Sequence, residues 1–298
     1  MTRTIITCPG IGDSIWLFMK LINQSEKFHW KIGDGTPQRG KQIFDLFPQL
    51  VESFEYIPQS GYKKIKRNAY NGKWRDTPES FYLEANSHLE YGNRIESYLP
   101  DLKTTFNLEY GTSSMDIATA DITLYGSIQV TGKVNPNLIG GRITTKPKYI
   151  GIYTSAYSNA RHWGGWGTKE WLELMGLIKN YNKEYKFVLI GAEYDLGIPA
   201  EIMTALPKED YINTVGQPLS VVVEILKRLD CFIGFPSGLS IINETLAARQ
   251  TIMFYPPHLS KLINAWPDPA RIESGAYKGC LFCEPKLIFD WMIKNEKI

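Results

Sequence analysis

The chain is poor in the residues that ordinarily carry metal or redox chemistry, with 4 Cys and 4 His among 298 residues. No two of the histidines, His29, His88, His162 and His258, stand at the spacing of a metal site. There is no D-x-D pair to hold a metal–nucleotide complex and no G-x-x-x-x-G-K-[ST] phosphate loop. No metal and no cofactor are therefore expected. Cys8 and Cys231 sit in or beside strand-like runs and read as small buried hydrophobes. Cys280 and Cys283 make a lone C-x-x-C with no second pair, which reads as free structural thiols, with a metal or redox role as the alternative. No run approaches the ~18 apolar residues that cross a bilayer. The first apolar run stops at Pro9, short of a signal peptide. A cytoplasmic protein without membrane insertion is expected. Charge of either sign is also not in excess: 33 Lys and Arg face 31 Asp and Glu, for a net +2. Any attraction to a polyanion must then come from a local patch.

What is present is ordinary globular composition, 43% hydrophobic and 21% charged, with length enough for one large or two medium domains that each bury a core. Aromatics reach 13%, suited equally to stacking clefts and to large cores. In the second half, short apolar runs at 149–154, 185–191, 211–215, 231–235 and 251–255 predict strands. Between them, Trp171, Leu174, Met175 and Ile178 share one helical face behind a Thr168 cap, and Val222, Ile225, Leu226 and Leu229 repeat the spacing after Pro218. Such alternation builds a parallel sheet covered on both faces. The first half opens likewise, with a strand at 2–8, a tight loop at 9–13, and a helix with Ile15, Phe18, Met19 and Ile22 on one face. Further strands are predicted at 27–32 and 54–57. A glycine- and proline-bearing linker at 131–148 separates two Rossmann-like α/β domains, 1–145 and 146–298, expected to face each other across a cleft.

Four segments could carry chemistry. Gly10-Ile11-Gly12-Asp13 follows the first strand; its glycines permit close backbone approach, and Asp13 either faces a ligand or caps the helix. Gly234-Phe235-Pro236-Ser237-Gly238-Leu239-Ser240 is again strand, glycine turn and helix. Its free N–H groups and the Ser237 hydroxyl could cradle a diphosphate, with Glu244 two turns on to accept from ribose hydroxyls. The alternative is an ordinary turn with Glu244 a surface charge. Residues 155–167, SAYSNARHWGGWG, hold Arg161 and His162, either to offset charge on a leaving group or as part of a tryptophan-anchored loop. Lys63, Lys64, Lys66 and Arg67, with Tyr62, Tyr70 and Trp74 interleaved, suit phosphate contacts plus stacking, or form a solvated charged loop.

The order of G-I-G-D near residue 10, R-H-W at 161–163, V-L-I-G at 188–191, G-Q-P-L at 216–219 and F-I-G-F-P-S-G-L-S at 232–240 resembles the lipopolysaccharide heptosyltransferase family. The resemblance implies the GT-B fold and a metal-independent, inverting transfer from a nucleotide sugar. It spans about residues 150–257 and the N-terminal loop. Carried over, Asp13 corresponds to the family's general base and Ser237-Gly238 to its Thr-Gly at the diphosphate. Arg161 falls in the region that supplies the family's phosphate-binding cation. On the reading of the residues themselves, Lys169 is the other candidate cation, and Leu239 and Glu244 complete the donor side. Gly10, Gly12 and the basic stretch fall to the acceptor side. Where the family has Asp before Thr-Gly and His three residues after that Gly, this chain has Pro236 and Ile241. The basic-aromatic stretch points to an anionic acceptor, a phosphorylated lipopolysaccharide core or phage DNA bearing hydroxymethylated pyrimidines. A nucleotide-sugar 2-epimerase of the same fold and a non-catalytic nucleotide-binding protein are the alternatives.

Overall fold

The computed structural model describes residues 4–7, 11–22, 25–33, 37–57, 80–83, 122–124, 128–130, 148–155, 166–247, 249–255, 263 and 269–298. The chain divides into two compact units, Met1–Glu109 and Tyr110–Ile298, against the predicted division at 145/146. Most of the predicted linker, 131–147, lies outside the described residues.

The first unit carries a parallel four-stranded sheet in the order β3-β2-β1-β4, from β1 (Thr4–Thr7), β2 (Phe28–Gly33), β3 (Val51–Ile57) and β4 (Ser80–Leu83). Helix α1 (Ile11–Leu21) follows β1, and α2 (Pro37–Leu46) links β2 to β3. Ile15, Phe18 and Leu21 are fully buried. Phe18 stacks on Trp30 at 4.1 Å and on Phe47 at 4.7 Å. The Trp30 indole N–H donates to the Leu50 carbonyl at 2.9 Å, so the buried ring leaves no orphan donor. These aromatics build core rather than a stacking platform. Helix α1 starts at Ile11, so Gly12 and Asp13 occupy its first turn and not the predicted loop.

The second unit begins with an antiparallel pair, β5 (Ile122–Leu124) and β6 (Ile128–Val130). Its main sheet has six parallel strands in the order β12-β11-β10-β7-β8-β9. These are β7 (Tyr149–Ile152), β8 (Lys186–Leu189), β9 (Tyr211–Asn213), β10 (Cys231–Gly234), β11 (Gln250–Tyr255) and β12 (Tyr277–Leu281). The helices are α3 (Thr168–Tyr181), α4 (Gly197–Ala205), α5 (Leu219–Leu226), α6 (Gly238–Ile242), α7 (Pro269–Glu273) and α8 (Pro285–Lys294). Ile150, Ile152, Phe187, Leu189, Ile233 and Phe254 share a core with Trp171, Leu174 and Ile178 of α3, Ile202 of α4 and Met292 of α8. The alternate strand residues face the other way: a Cβ on Gly151 would strike Leu229, just beyond α5. Both faces are thus covered, as a parallel sheet requires. Cys231 is fully buried, as its strand position predicts, and burial pushes its thiol up to about 12. The α3 cap is Gly167 rather than Thr168, and Glu170 reaches back to the Gly167 N–H at 2.8 Å.

Candidate functional site

The strand order reverses between β7 and β10: the chain runs from β7 outward through β8 and β9, then returns to the opposite side of β7 as β10. Ligands of open α/β sheets bind at such a switch point, outside the carboxyl ends of the strands. Here that edge is built from Tyr153-Thr154-Ser155 after β7 and Phe235-Pro236-Ser237 after β10. The Tyr153 N–H donates to the Ile233 carbonyl at 2.9 Å, prolonging the pairing past Ile152. A Cβ on Gly234 would stand 2.8 Å from the Tyr153 Cβ and 3.1 Å from its carbonyl oxygen, so only glycine lets the two strand ends abut.

Ser237 is the N-cap of α6, and its Oγ accepts from the Leu239 N–H at 3.2 Å. Ser240 Oγ accepts from the Ser237 N–H at 2.7 Å and donates to the Ser237 carbonyl at 2.8 Å. The helix continues without a break into a π-turn (Asn243–Ala247), giving two successive segments of 5 residues. Ser237, Gly238 and Leu239 at its positive end are half-buried, while Pro236 and Ile241, where the family pattern has Asp and His, are buried. The capping serves part of the hydroxyl's capacity, so the anion-facing groups are fewer than the sequence suggested. The Tyr153 phenol, 4% exposed, hydrogen-bonds to Ser237. Burial, with the Asp195 charge adding to it, holds that phenol well above its ordinary range, so it stays a neutral hydroxyl. Next to it, Thr154 Oγ1 is buried with no hydrogen-bond partner among the described residues. Sequence reasoning missed both, because each reads as a core residue ending a strand.

Two further motif segments reach the same edge. After β8, Asp195 Oδ2 accepts from the Ala192 N–H at 2.8 Å, and Gly191 accepts from the Gly216 N–H at 2.8 Å. Gly216 has φ +86, which a side chain would strain. Thr214 bonds the Leu189 carbonyl through both its N–H and its hydroxyl, at 2.9 and 2.7 Å. The 188–191, 216–219 and 232–240 motifs are thereby gathered at one sheet edge. Tyr194 stands there 61% exposed. Lys169, in the first turn of α3 beyond β7, is also exposed.

Glu244 is the correction. It is 2% exposed, and its Oε2 accepts from Arg271 Nε at 2.9 Å while Oε1 accepts from Thr251 Oγ1 at 2.5 Å. Thr251 pairs with Phe232, toward the amino ends of the strands, whereas Ser237 lies beyond their carboxyl ends. Seven helical residues at about 1.5 Å each carry Glu244 ~10 Å away from the cap. Burial lifts its carboxyl above the ordinary range, against the opposing pull of Arg271. It is a buried ion-pair partner of Arg271 and not the surface charge of the alternative reading. Of the remaining predicted residues, Asp13 and Gly12 lie in α1. Gly10, Lys63, Lys64, Lys66, Arg67 and Arg161 lie outside the described residues. No group of three His, Cys, Asp or Glu able to hold a metal occurs among the described residues. No described helix is long and apolar enough to cross a membrane.

No protein-family model matches this sequence, and no curated protein matches it either. In structure the chain is similar to a glycosyl transferase family 9 protein from Veillonella parvula, at 13% identity over 98% of this chain and 97% of that one, TM-score 0.57. It is similar to the E. coli heptosyltransferase WaaC with ADP, at 14% identity over 99% and 98% of the two chains, TM-score 0.53. It also resembles the UDP-GlcNAc 2-epimerase of Neisseria meningitidis bound to UDP-GlcNAc, at 11% identity over 100% and 94%, TM-score 0.53. These likenesses assign the fold: it is α/β, Rossmann-like and GT-B, as the motif order predicts.

Proposed function

We propose that this protein is a glycosyltransferase that takes a sugar from a nucleoside-diphosphate donor bound at the β7–β10 edge and passes it to a hydroxyl of an anionic acceptor. The observation that carries the reading is the switch-point edge itself, where the Ser237-capped helical run opens beside the neutral Tyr153 hydroxyl. The Gly238 N–H and the positive helix end complement a diphosphate. Exposed Lys169, and Arg161 before it, offset charge on the departing nucleoside diphosphate. The GT-B neighbours include one solved with ADP and one bound to UDP-GlcNAc, which share a nucleoside diphosphate moiety.

The family resemblance gives Asp13 the role of general base. It takes the acceptor proton as the new O–C bond forms at the anomeric carbon and the bond to the diphosphate breaks, inverting that carbon. A positioned base is worth about 10²–10⁴-fold in rate. The reading needs no metal, since the sequence offers no D-x-D pair. Lys63, Lys64, Lys66 and Arg67 favour a phosphorylated glycolipid core or hydroxymethylated DNA as acceptor. DNA binding would fall steeply with added salt.

The test is melting in the presence of a panel of nucleoside diphosphates and their sugars. A donor at 100 times its Kd should stabilise by about 2.7 kcal/mol, and Gly238→Asp should abolish the shift. If no nucleotide raises the melting temperature, the donor site is not at this edge. The epimerase likeness supports a second reading, in which the donor alone, without acceptor, yields an epimer.

A further inference from the structure

The C-x-x-C pair lies on the edge strand, two strands from β10. Cys280 is the fourth residue of β12, opposite Phe254, and its thiol lies 3.7 Å from the Met253 carbonyl. The chain then turns at Leu281. Phe282 packs on Phe235 at 5.2 Å, and its N–H bonds the Tyr255 carbonyl at 3.3 Å. Cys283 precedes Glu284, the N-cap of the 10-residue helix α8, and its carbonyl accepts from the Trp166 indole at 2.7 Å. The corner is fixed on both sides of the sulfurs. Both thiols are free, and the two residues are close enough to shift each other's ionisation.

The pair is asymmetric. Cys283 receives the Cys280 hydrogen bond and is less buried; the hydrogen bond, helped by Lys278 and opposed by burial and Glu284, pushes its thiol down to about 7. The same hydrogen bond and deeper burial push Cys280 up. The amino end of α8 further favours a thiolate beside it.

We propose that Cys280 and Cys283 form a dithiol–disulfide site that reacts with low-molecular-weight disulfides, Cys283 as nucleophile and Cys280 as resolving thiol. The Cys283 thiolate attacks one sulfur of the small disulfide, whose S–S bond breaks and releases one thiolate. Cys280 then gives its proton to solvent and attacks the Cys283 sulfur, expelling the second small thiolate. The protein dithiol is oxidised and the small disulfide is reduced to two thiols. A thiol near neutral pKa is well matched to this attack, because it is substantially ionised yet still nucleophilic.

The experiment equilibrates the full chain with graded mixtures of oxidised and reduced glutathione, blocks remaining thiols, and reads peptide masses. The expected product is an intramolecular Cys280–Cys283 bond, lighter by two hydrogens, that reduced glutathione reopens. Cys280→Ser should instead accumulate glutathione on Cys283. In the reduced chain, the rate of Cys283 alkylation should rise with pH through a midpoint near about 7, and Cys280→Ala, which removes the donor, should move that midpoint upward. The proposal is overturned if the unsubstituted chain only accumulates glutathione on Cys283. It is equally overturned if Cys283 titrates like an ordinary thiol, near about 8.5.

Discussion

Replacing Glu244 by Gln separates a structural carboxylate from a ligand-binding one. The side chain is 2% exposed and its partner Arg271 only 12%, joined at 2.9 Å. Arg271 also donates to the Arg249 carbonyl, and Thr251 and Asn243 close the network around the carboxylate. Removing the negative charge leaves the guanidinium buried without its counterion. Breaking a buried pair from one side costs about 3–5 kcal/mol. Since a domain of about 150–250 residues loses about 2–4 °C for each kcal/mol, melting should fall by about 6–20 °C. Nucleotide affinity, measured by calorimetry at a temperature where the variant is folded, should not change. Replacing both partners together, as Glu244→Met with Arg271→Leu, should recover most of the loss, because a packed apolar pair also removes the desolvation cost of two charges. The reasoning fails if Glu244→Gln melts with the parent and binds nucleotide tenfold more weakly. That pattern would make the carboxylate a ribose contact.

Asp13→Asn should lower turnover by about 10²–10⁴-fold while leaving the donor-induced melting shift intact; loss of that shift would refute the base assignment. Gly234→Ala forces a methyl against the Tyr153 backbone and should cost about 1–3 kcal/mol in urea unfolding, with weaker nucleotide binding; an unchanged midpoint would refute the close approach. Trp166→Phe removes the bond to the Cys283 carbonyl, worth about 0.5–1.5 kcal/mol, and thins a packed contact with Phe254 at 4.4 Å. Its unfolding midpoint should fall accordingly, and parental stability would show that the indole anchors nothing.

The second unit was legible because parallel strands buried on both faces read as continuous apolar runs. The predicted runs overshoot the strands at Tyr153, Thr154 and Phe235, residues that stay buried beyond the strand ends. Edge strand β12 escaped because only Tyr277 in it is buried, which breaks the apolar pattern. In α8, Pro285, Ile288 and Met292 are buried while Leu287 is exposed, so its apolar spacing marks the core face incompletely. Helix α2 escaped because its first half is polar and, among its described side chains, the buried Ile43, Phe44 and Leu46 crowd its end.

The backbone of the candidate site was legible and the burial of Glu244 was not, for one physical reason. A glycine turn between strand and helix is a local pattern, and Ser237 followed from it directly. Whether a carboxylate seven residues on faces water or protein depends on what packs against that turn of helix. Here the π-turn from Asn243 to Ala247 breaks the 3.6-residue phase, so ordinary helical spacing no longer says which way Glu244 points. Its counterion Arg271 comes from 27 residues later, across β11. No local pattern links the two. The same holds for Tyr153, whose hydroxyl meets Ser237 only because the sheet reverses its order between their strands. The side chains gathered at this edge are therefore set by topology, and it is there that substitutions will tell ligand contacts from structural ones.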